Sequence, residues 1–320
     1  MPPRTSRRKA QSLASATVAP RVAQKAGLLP RIKGPKTGPF RHPDFDTSSD
    51  FHFEELLDEP SSSSSEGGEG YVFKAVLSGR TYAVKFKFYD IEEGRYRFSN
   101  SQNEKISDAE LIGNLDPFNA ECRAYGCIEE IRAKYREKGI EIGPIAMPCH
   151  GYMSITPSHE REFVDRFGPL EFQRCAKDEG TELRALVKRY SPHKHIDPKK
   201  RPVKLMLRDL EIMHENGLYP IDIHAENYRE GLLVDFGMAL TEPSCVLNVV
   251  DDYVADQERG RGLGAFDDMI KDAGIKTKIR AANGPGWRNR TRAGTIAKDR
   301  AEFIQLVNRR GLRTEKQSRM

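Results

Sequence analysis

Apolar residues take up a regular spacing only from about residue 67 onward. Between Tyr71 and Leu77, and again between Arg80 and Phe88, apolar and polar positions alternate, the period-two signature of β-strands. Ser78-Gly79 between them reads as a hairpin turn. Residues 90–115 are polar and irregular and read as an insertion. At Asp116-Pro117 the pattern becomes helical, with Asp as N-cap and Pro at the first helical position. Phe118, Cys122, Tyr125 and Ile128 then share one face, and Gly139 closes the helix. Segments 149–155 and 183–188 read as short strands. A second helix starts near Pro202, carries Val203, Met206, Leu207, Leu210 and Met213 on one face, and ends at Asn216-Gly217. Leu232-Leu233-Val234 reads as a buried strand. A last helix near 296–309 carries Ile296, Phe303, Ile304 and Val307 and stops at Gly311.

Composition changes the picture mainly at the two ends. Residues 1–50 have no hydrophobic period and are rich in Pro, Ser, Arg and Lys, which reads as a disordered basic tail. Residues 51–66 read as a linker, with Phe51, Phe53, Leu56 and Leu57 as a short docking segment and Ser61 to Ser65 as low complexity. Residues 1–43 hold ten Lys+Arg and no acid, and residues 271–320 hold fourteen against four acids. Each end thus carries +10 and the middle −15, within a net charge of +5. The ends read either as solvated tails or as surfaces for nucleic acid or an acidic partner. Arg7-Arg8-Lys9 fits a nuclear signal. An acid-free start also fits a mitochondrial transit peptide, which ranks lower because Pro2, Pro3, Pro20 and Pro30 interrupt any amphipathic helix.

The chain has 320 residues, enough for one large or two modest domains. Mean hydropathy is −0.65 and no run of 18 apolar residues occurs, so a soluble protein without membrane contact is expected. The five cysteines make no CxxC and no ligand spacing with histidine. That favours free thiols in a reducing, intracellular compartment over disulfides or zinc.

Candidate chemistry gathers in three places. Gly67-Gly68-Glu69-Gly70 runs into Tyr71-Val72-Phe73-Lys74-Ala75. Glycines there would let backbone N–H groups approach phosphates, although a flexible linker has the same composition. Ala83-Val84-Lys85 ends the next strand, and its lysine is either a solvent-facing edge residue or a phosphate ligand. The third stretch runs from His214 through Asp222, His224 and Asn227, and Asp235-Phe236-Gly237 follows eight residues later. A helix ends, a loop carries Asp and Asn five apart, a hairpin turns at Glu230-Gly231, and a buried strand delivers a second Asp. That brings three oxygen-bearing side chains to one cleft, as a hard cation and phosphoryl transfer require.

In this order the motifs resemble the protein kinase fold. Val72-Phe73-Lys74-Ala75 matches the strand after the glycine loop, Ala83-Val84-Lys85 the lysine strand, and Glu121-Cys122-Arg123-Ala124-Tyr125 the helix whose glutamate pairs with that lysine. Ala185 to Tyr190 looks like the strand running into the hinge. The resemblance implies an α+β, two-lobed, protein-kinase-like fold with an abbreviated C-lobe, the N-lobe over 67–190 and the C-lobe over 191–310, before a basic tail at 311–320. It implies ATP and magnesium as cofactors and an unknown protein or small molecule as acceptor. Lys85, Glu121 and Asp222 would be catalytic, and Asn227 and Asp235 would hold the metal. Gly67, Gly70, Val72, Ala83, Arg189 and Tyr190 would line the nucleotide.

Other residues depart from that pattern. Ser65 stands at the first glycine position, Pro220-Ile221 replaces the His-Arg before the catalytic Asp, His224 replaces a lysine, and no Ala-Pro-Glu follows Gly237. A pseudokinase scaffold that binds partners, and a small-molecule kinase, are therefore the alternative readings. Asp116-Pro117-Phe118, Glu121 to Gly126, Gly143-Pro144, Cys149-His150-Gly151-Tyr152 and Val234-Asp235-Phe236 are similar to a narrower family of small fungal kinase-like proteins. That family is named after a subunit of a fission-yeast inner kinetochore complex.

Overall fold

The computed structural model describes residues 29–42, 51–58, 70–86, 91–168, 182–192, 196, 198 and 201–281. The expected helix near 296–309, Gly67, Ser65 and the last basic tail lie outside the described residues. No helix among the described residues is long and apolar enough to cross a membrane.

The architecture is mixed α+β. Strands β1 (His52–Asp58), β2 (Tyr71–Leu77), β3 (Arg80–Phe86), β4 (Cys149–Ile155) and β5 (Leu183–Arg189) form one antiparallel sheet in the order β1-β2-β3-β5-β4. The β2–β3 turn places Ser78 and Gly79 at φ 48° and 71°, the left-handed pair that a two-residue hairpin favours. Alternation then sorts the side chains by face. Phe73, Ala75, Val84, Phe86, Ala185 and Val187 share one apolar core. There Phe163, from the helix α5 (Pro157–Phe167), stacks on Phe73 at 4.8 Å.

Between β3 and β4 the chain forms α1 (Ile91–Arg95), α2 (Asn100–Asn103), α3 (Asp108–Leu115) and α4 (Pro117–Glu137). The region read as an irregular insertion is therefore helical for much of its length. α3 opens on a reciprocal cap, Glu110 N–H to Ser107 Oγ at 3.3 Å and Ser107 N–H to Glu110 Oε2 at 3.0 Å. α4 opens on Asp116, which accepts from the Phe118 N–H at 2.9 Å. Burial raises the Asp116 pKa, against the pull of the Arg184 guanidinium that pairs with it.

α4 serves two cores. Its first turns put Phe118 and Cys122 on Leu186, against the sheet. Its later turns put Tyr125, Ile128 and Ile131 into a helical core with α6 (Val203–Glu215). That core also takes Leu263, Phe266 and Ile270 from α8 (Asp252–Asp272), which follows the short α7 (Cys245–Val249). Two small ladders complete the fold: β6 (Leu218–Tyr219) with β9 (Leu240–Thr241), and β7 (Tyr228–Arg229) with β8 (Leu232–Leu233).

Two N-terminal readings need correction. Residues 29–42, assigned to the disordered tail, form a strap across the outer side of α4 and β4. Thr37 donates to the Cys122 carbonyl at 2.6 Å, Phe40 to Tyr152 at 2.6 Å, and Pro39 bridges Tyr152 in parallel. Glycines make room for it: a Cβ on Gly126 would lie 2.2 Å from the Lys36 nitrogen, and one on Gly151 2.6 Å from that of Phe40. The strap carries lysines and glycines with little apolar period; backbone hydrogen bonds, close approach and two apolar anchors, Leu29 against the cluster of Phe118, Cys122 and Leu186 and Phe40 in the sheet core, hold it. Residues 52–58, assigned to the linker, are the edge strand β1, with Phe53 fully buried. Irregularities between Phe53 and Glu55 and between Leu56 and Asp58 interrupt its alternation, which is why no period of two is legible there.

Candidate functional site

Lys85 alternates with the core-facing Val84, so its side chain crosses the opposite face of the sheet toward α4. Its ammonium donates to Glu121 Oε1 at 2.8 Å and to Asp235 Oδ2 at 2.5 Å. Lys85 and Glu121 are 7% and 1% exposed, so the pair lies away from water. Burial is the largest influence on Glu121 and raises its pKa; Lys188 and Lys85 oppose that rise. Asp235 is fixed from its other oxygen, which accepts the Gly237 N–H at 2.8 Å. Phe236 turns inward and meets Tyr125 of α4 edge-on at 5.2 Å, tying this turn to the helical core.

The loop before it is shaped by short ladders. After β6, residues 220–224 lead into a single 3-10 turn at Ala225–Asn227 and then into β7. Glu230 and Gly231 turn the hairpin at φ 54° and 73°, and Val234 donates to the Asn227 carbonyl at 2.9 Å. This brings Asn227 beside Asp222: its amide donates to the Asp222 carboxylate at 2.7 Å and to its carbonyl at 3.1 Å. His224 Nε2 lies 3.4 Å from the same carboxylate, and that hydrogen bond raises the His224 pKa, with burial opposing.

The remaining candidates divide. Val72 pairs with Lys85 in the β2–β3 register, and Ala83 with Lys188 in the β3–β5 register. Gly70, at φ 113°, enters β2. Arg189 is engaged elsewhere, on Glu230 at 3.0 Å. The Tyr190 ring lies 5.7 Å from the Lys74 ammonium.

Sequence reading did not single out Lys188. It is 5% exposed, forms an ion pair with the second oxygen of Glu121, donates to the Val234 carbonyl at 2.7 Å, and lies over the Tyr125 ring at 5.5 Å. Its position two residues after Leu186, on the strand face that packs against α4, was the available signal. Arg123 was missed as well. It is fully buried, and its guanidinium donates to Asn114 Oδ1 at 2.6 Å and to the Thr241 carbonyl at 2.5 Å, joining α4 to the chain after Asp235. Burial lowers its pKa to about 10.

The site is thus a buried two-lysine, two-carboxylate cluster on an α+β frame, beside a loop carrying Asp222 and Asn227. Among the described residues no group of three His, Cys, Asp or Glu is arranged to hold a metal, and the four cysteines are free thiols. A family model described as kinetochore Sim4 complex subunit FTA2 matches residues 26–240, two-thirds of the chain, and the chain belongs to that family. No curated protein matches it.

Proposed function

We propose that this chain is a protein-binding subunit of a kinetochore complex in the nucleus, built on a two-lobed, kinase-like scaffold with an abbreviated C-lobe. The observation that carries this reading is the family match, which takes in the strap, the sheet and the Lys85 cluster together. The kinase-like part is supported by the Lys85–Glu121 pair and by the order in which Asp222, Asn227 and Asp235 follow it. The scaffold part is supported by how the polar groups pair with one another. Two lysines meet at Glu121, Lys85 also holds Asp235, and Asn227 holds Asp222. Purification of the full chain, tagged at its own locus, tests the reading: a stoichiometric set of centromere-associated proteins should co-elute.

A second reading, phosphoryl transfer dependent on ATP and magnesium, is favoured by the Lys85–Glu121 distance of 2.8 Å and by the all-oxygen donor set of Asp235 and Asn227. Oxygen donors suit magnesium, which commonly takes one or two protein ligands and completes its shell with phosphate oxygens and water. The bound nucleotide would supply the phosphoryl group. Lys85, oriented by Glu121, would hold the phosphates, with Gly67, Gly70, Val72, Ala83, Arg189 and Tyr190 around the nucleotide. Asp222 would orient an acceptor hydroxyl on a protein or small molecule and take its proton. A ligand that binds only the folded state raises its melting temperature. On this reading the chain melts higher with millimolar ATP and magnesium, and Lys85→Met does not. No shift in either protein removes phosphoryl transfer and leaves the scaffold.

A further inference from the structure

Away from the Lys85 cluster, the strap, β3 and β4 line an open-sided cavity of about 430 Å³. One wall is aromatic. Phe40 lies edge-on to Tyr82 with centroids 5.5 Å apart, and Tyr82 lies edge-on to His150 at 5.3 Å and to His42 at 6.1 Å. The rest of the lining is cationic or hydroxylic: Arg41 from the strap, and Arg80 and Thr81 from β3. Both arginines are exposed, and neither forms a salt bridge with a carboxylate among the described residues. Burial is the largest influence lowering the His150 pKa, and the nearby Arg80, Arg189 and His42 lower it further. Three distant segments build this site, and the Phe40 N–H, donating to the Tyr152 carbonyl at 2.6 Å, holds the strap beside β4.

We propose that this pocket binds the phosphate monoester of a phosphorylated side chain on a partner protein. The inference rests on the partner-binding reading above and is independent of the Lys85 cluster. Guanidinium groups carry planar forks of donors that match phosphate oxygens two at a time. A phosphomonoester brings close to two negative charges and three acceptors, more than a carboxylate offers to two arginines, a threonine and two imidazoles. The aromatic wall suits the carbon stem that carries the ester. The shape of the site favours a phosphorylated side chain over nucleic acid: a duplex is held by a long stripe of surface cations, whereas this recess has two arginines at a concavity of about 430 Å³.

The test uses the full chain and a degenerate phosphoserine peptide library on beads, with its dephosphorylated twin and a short DNA duplex as parallel arms. The proposal expects retention on the phosphorylated library alone and release by phenyl phosphate at lower concentration than by inorganic phosphate. Arg41→Ala combined with Arg80→Ala should weaken retention by about tenfold or more, since charge-assisted hydrogen bonds are lost. Both residues are exposed, so the variant should keep its melting temperature, and it leaves the remaining basic residues of the N-terminus in place. Equal retention on the two libraries, tighter binding to DNA, or unchanged retention of the double variant would each overturn the proposal. The phenyl phosphate arm reads the wild-type chain alone and needs no variant. If the pocket fails while the tagged chain still co-elutes with centromere proteins, the partner-binding reading stands and only the ligand is wrong.

Discussion

At the scale of single residues, the Lys85 cluster is a set of charges answering one another. Lys85 reaches both Glu121 and Asp235, while Lys188 reaches Glu121 and the carbonyl of Val234. Removing one member of such a buried set leaves another charge uncompensated, which costs more than the pair contributes. His224 gives a measurable edge to this network. Its pKa is raised chiefly by the hydrogen bond to Asp222. The stability it contributes is therefore fully present below the unfolded-state value and fades as pH rises through the higher folded-state value. NMR titration should find the His224 midpoint above that of an ordinary histidine, about 6.5. Asp222→Asn should bring the midpoint back down; a midpoint unmoved by that substitution would mean the contact is absent in solution. Lys85, Glu121 and Asp235, which meet, and Asp222 and Asn227, which pair, each sit in a recognisable local pattern and so stand out in the sequence. Lys188 does not, because a lysine at the end of an apolar strand looks solvent-directed until its pairing with Ala83 fixes which face it takes.

At the scale of elements, α4 joins the sheet to the helical core. It supplies Glu121 to the Lys85 cluster, Phe118 to the sheet and Ile131 to the helical core, and its Cys122 carbonyl accepts from Thr37 of the strap. The strap also accounts for Gly126 and Gly151 in the two short motifs that mark the narrower family. A helix interior favours Ala over Gly by about 1 kcal/mol, so Gly126→Ala would stabilise a chain whose strap was undocked. With Lys36 backbone atoms 2.2 to 2.5 Å from the new methyl, the substitution should instead destabilise, by about 1–3 kcal/mol as overpacking does. Chemical denaturation gives the sign directly, and a gain in stability would place the strap elsewhere in solution. The contrast in legibility is physical. β2 and β3 announce themselves by alternation, and α4 by its Asp-Pro start and its helically spaced apolar residues. The strap rests largely on backbone hydrogen bonds that no residue pattern encodes, with Leu29 and Phe40 as isolated apolar anchors, and β1 loses its alternation at two irregularities.

At the scale of the whole molecule, an acidic middle lies between two basic ends, and the described residues present two sites of opposite character. One is the Lys85 cluster, whose groups are paired internally; the other is the pocket rimmed by Arg41 and Arg80, whose cations face outward. The family match over residues 26–240 takes in the strap, the pocket and the Lys85 cluster. The partner-binding account predicts that this region is occupied by other proteins in the cell. The most direct measurement is quantitative mass spectrometry of proteins co-purifying with the full chain tagged at its own locus. The account predicts a constant, near-stoichiometric group of centromere-associated proteins. Recovery of the chain alone, or with a set unrelated to centromeres, would contradict it.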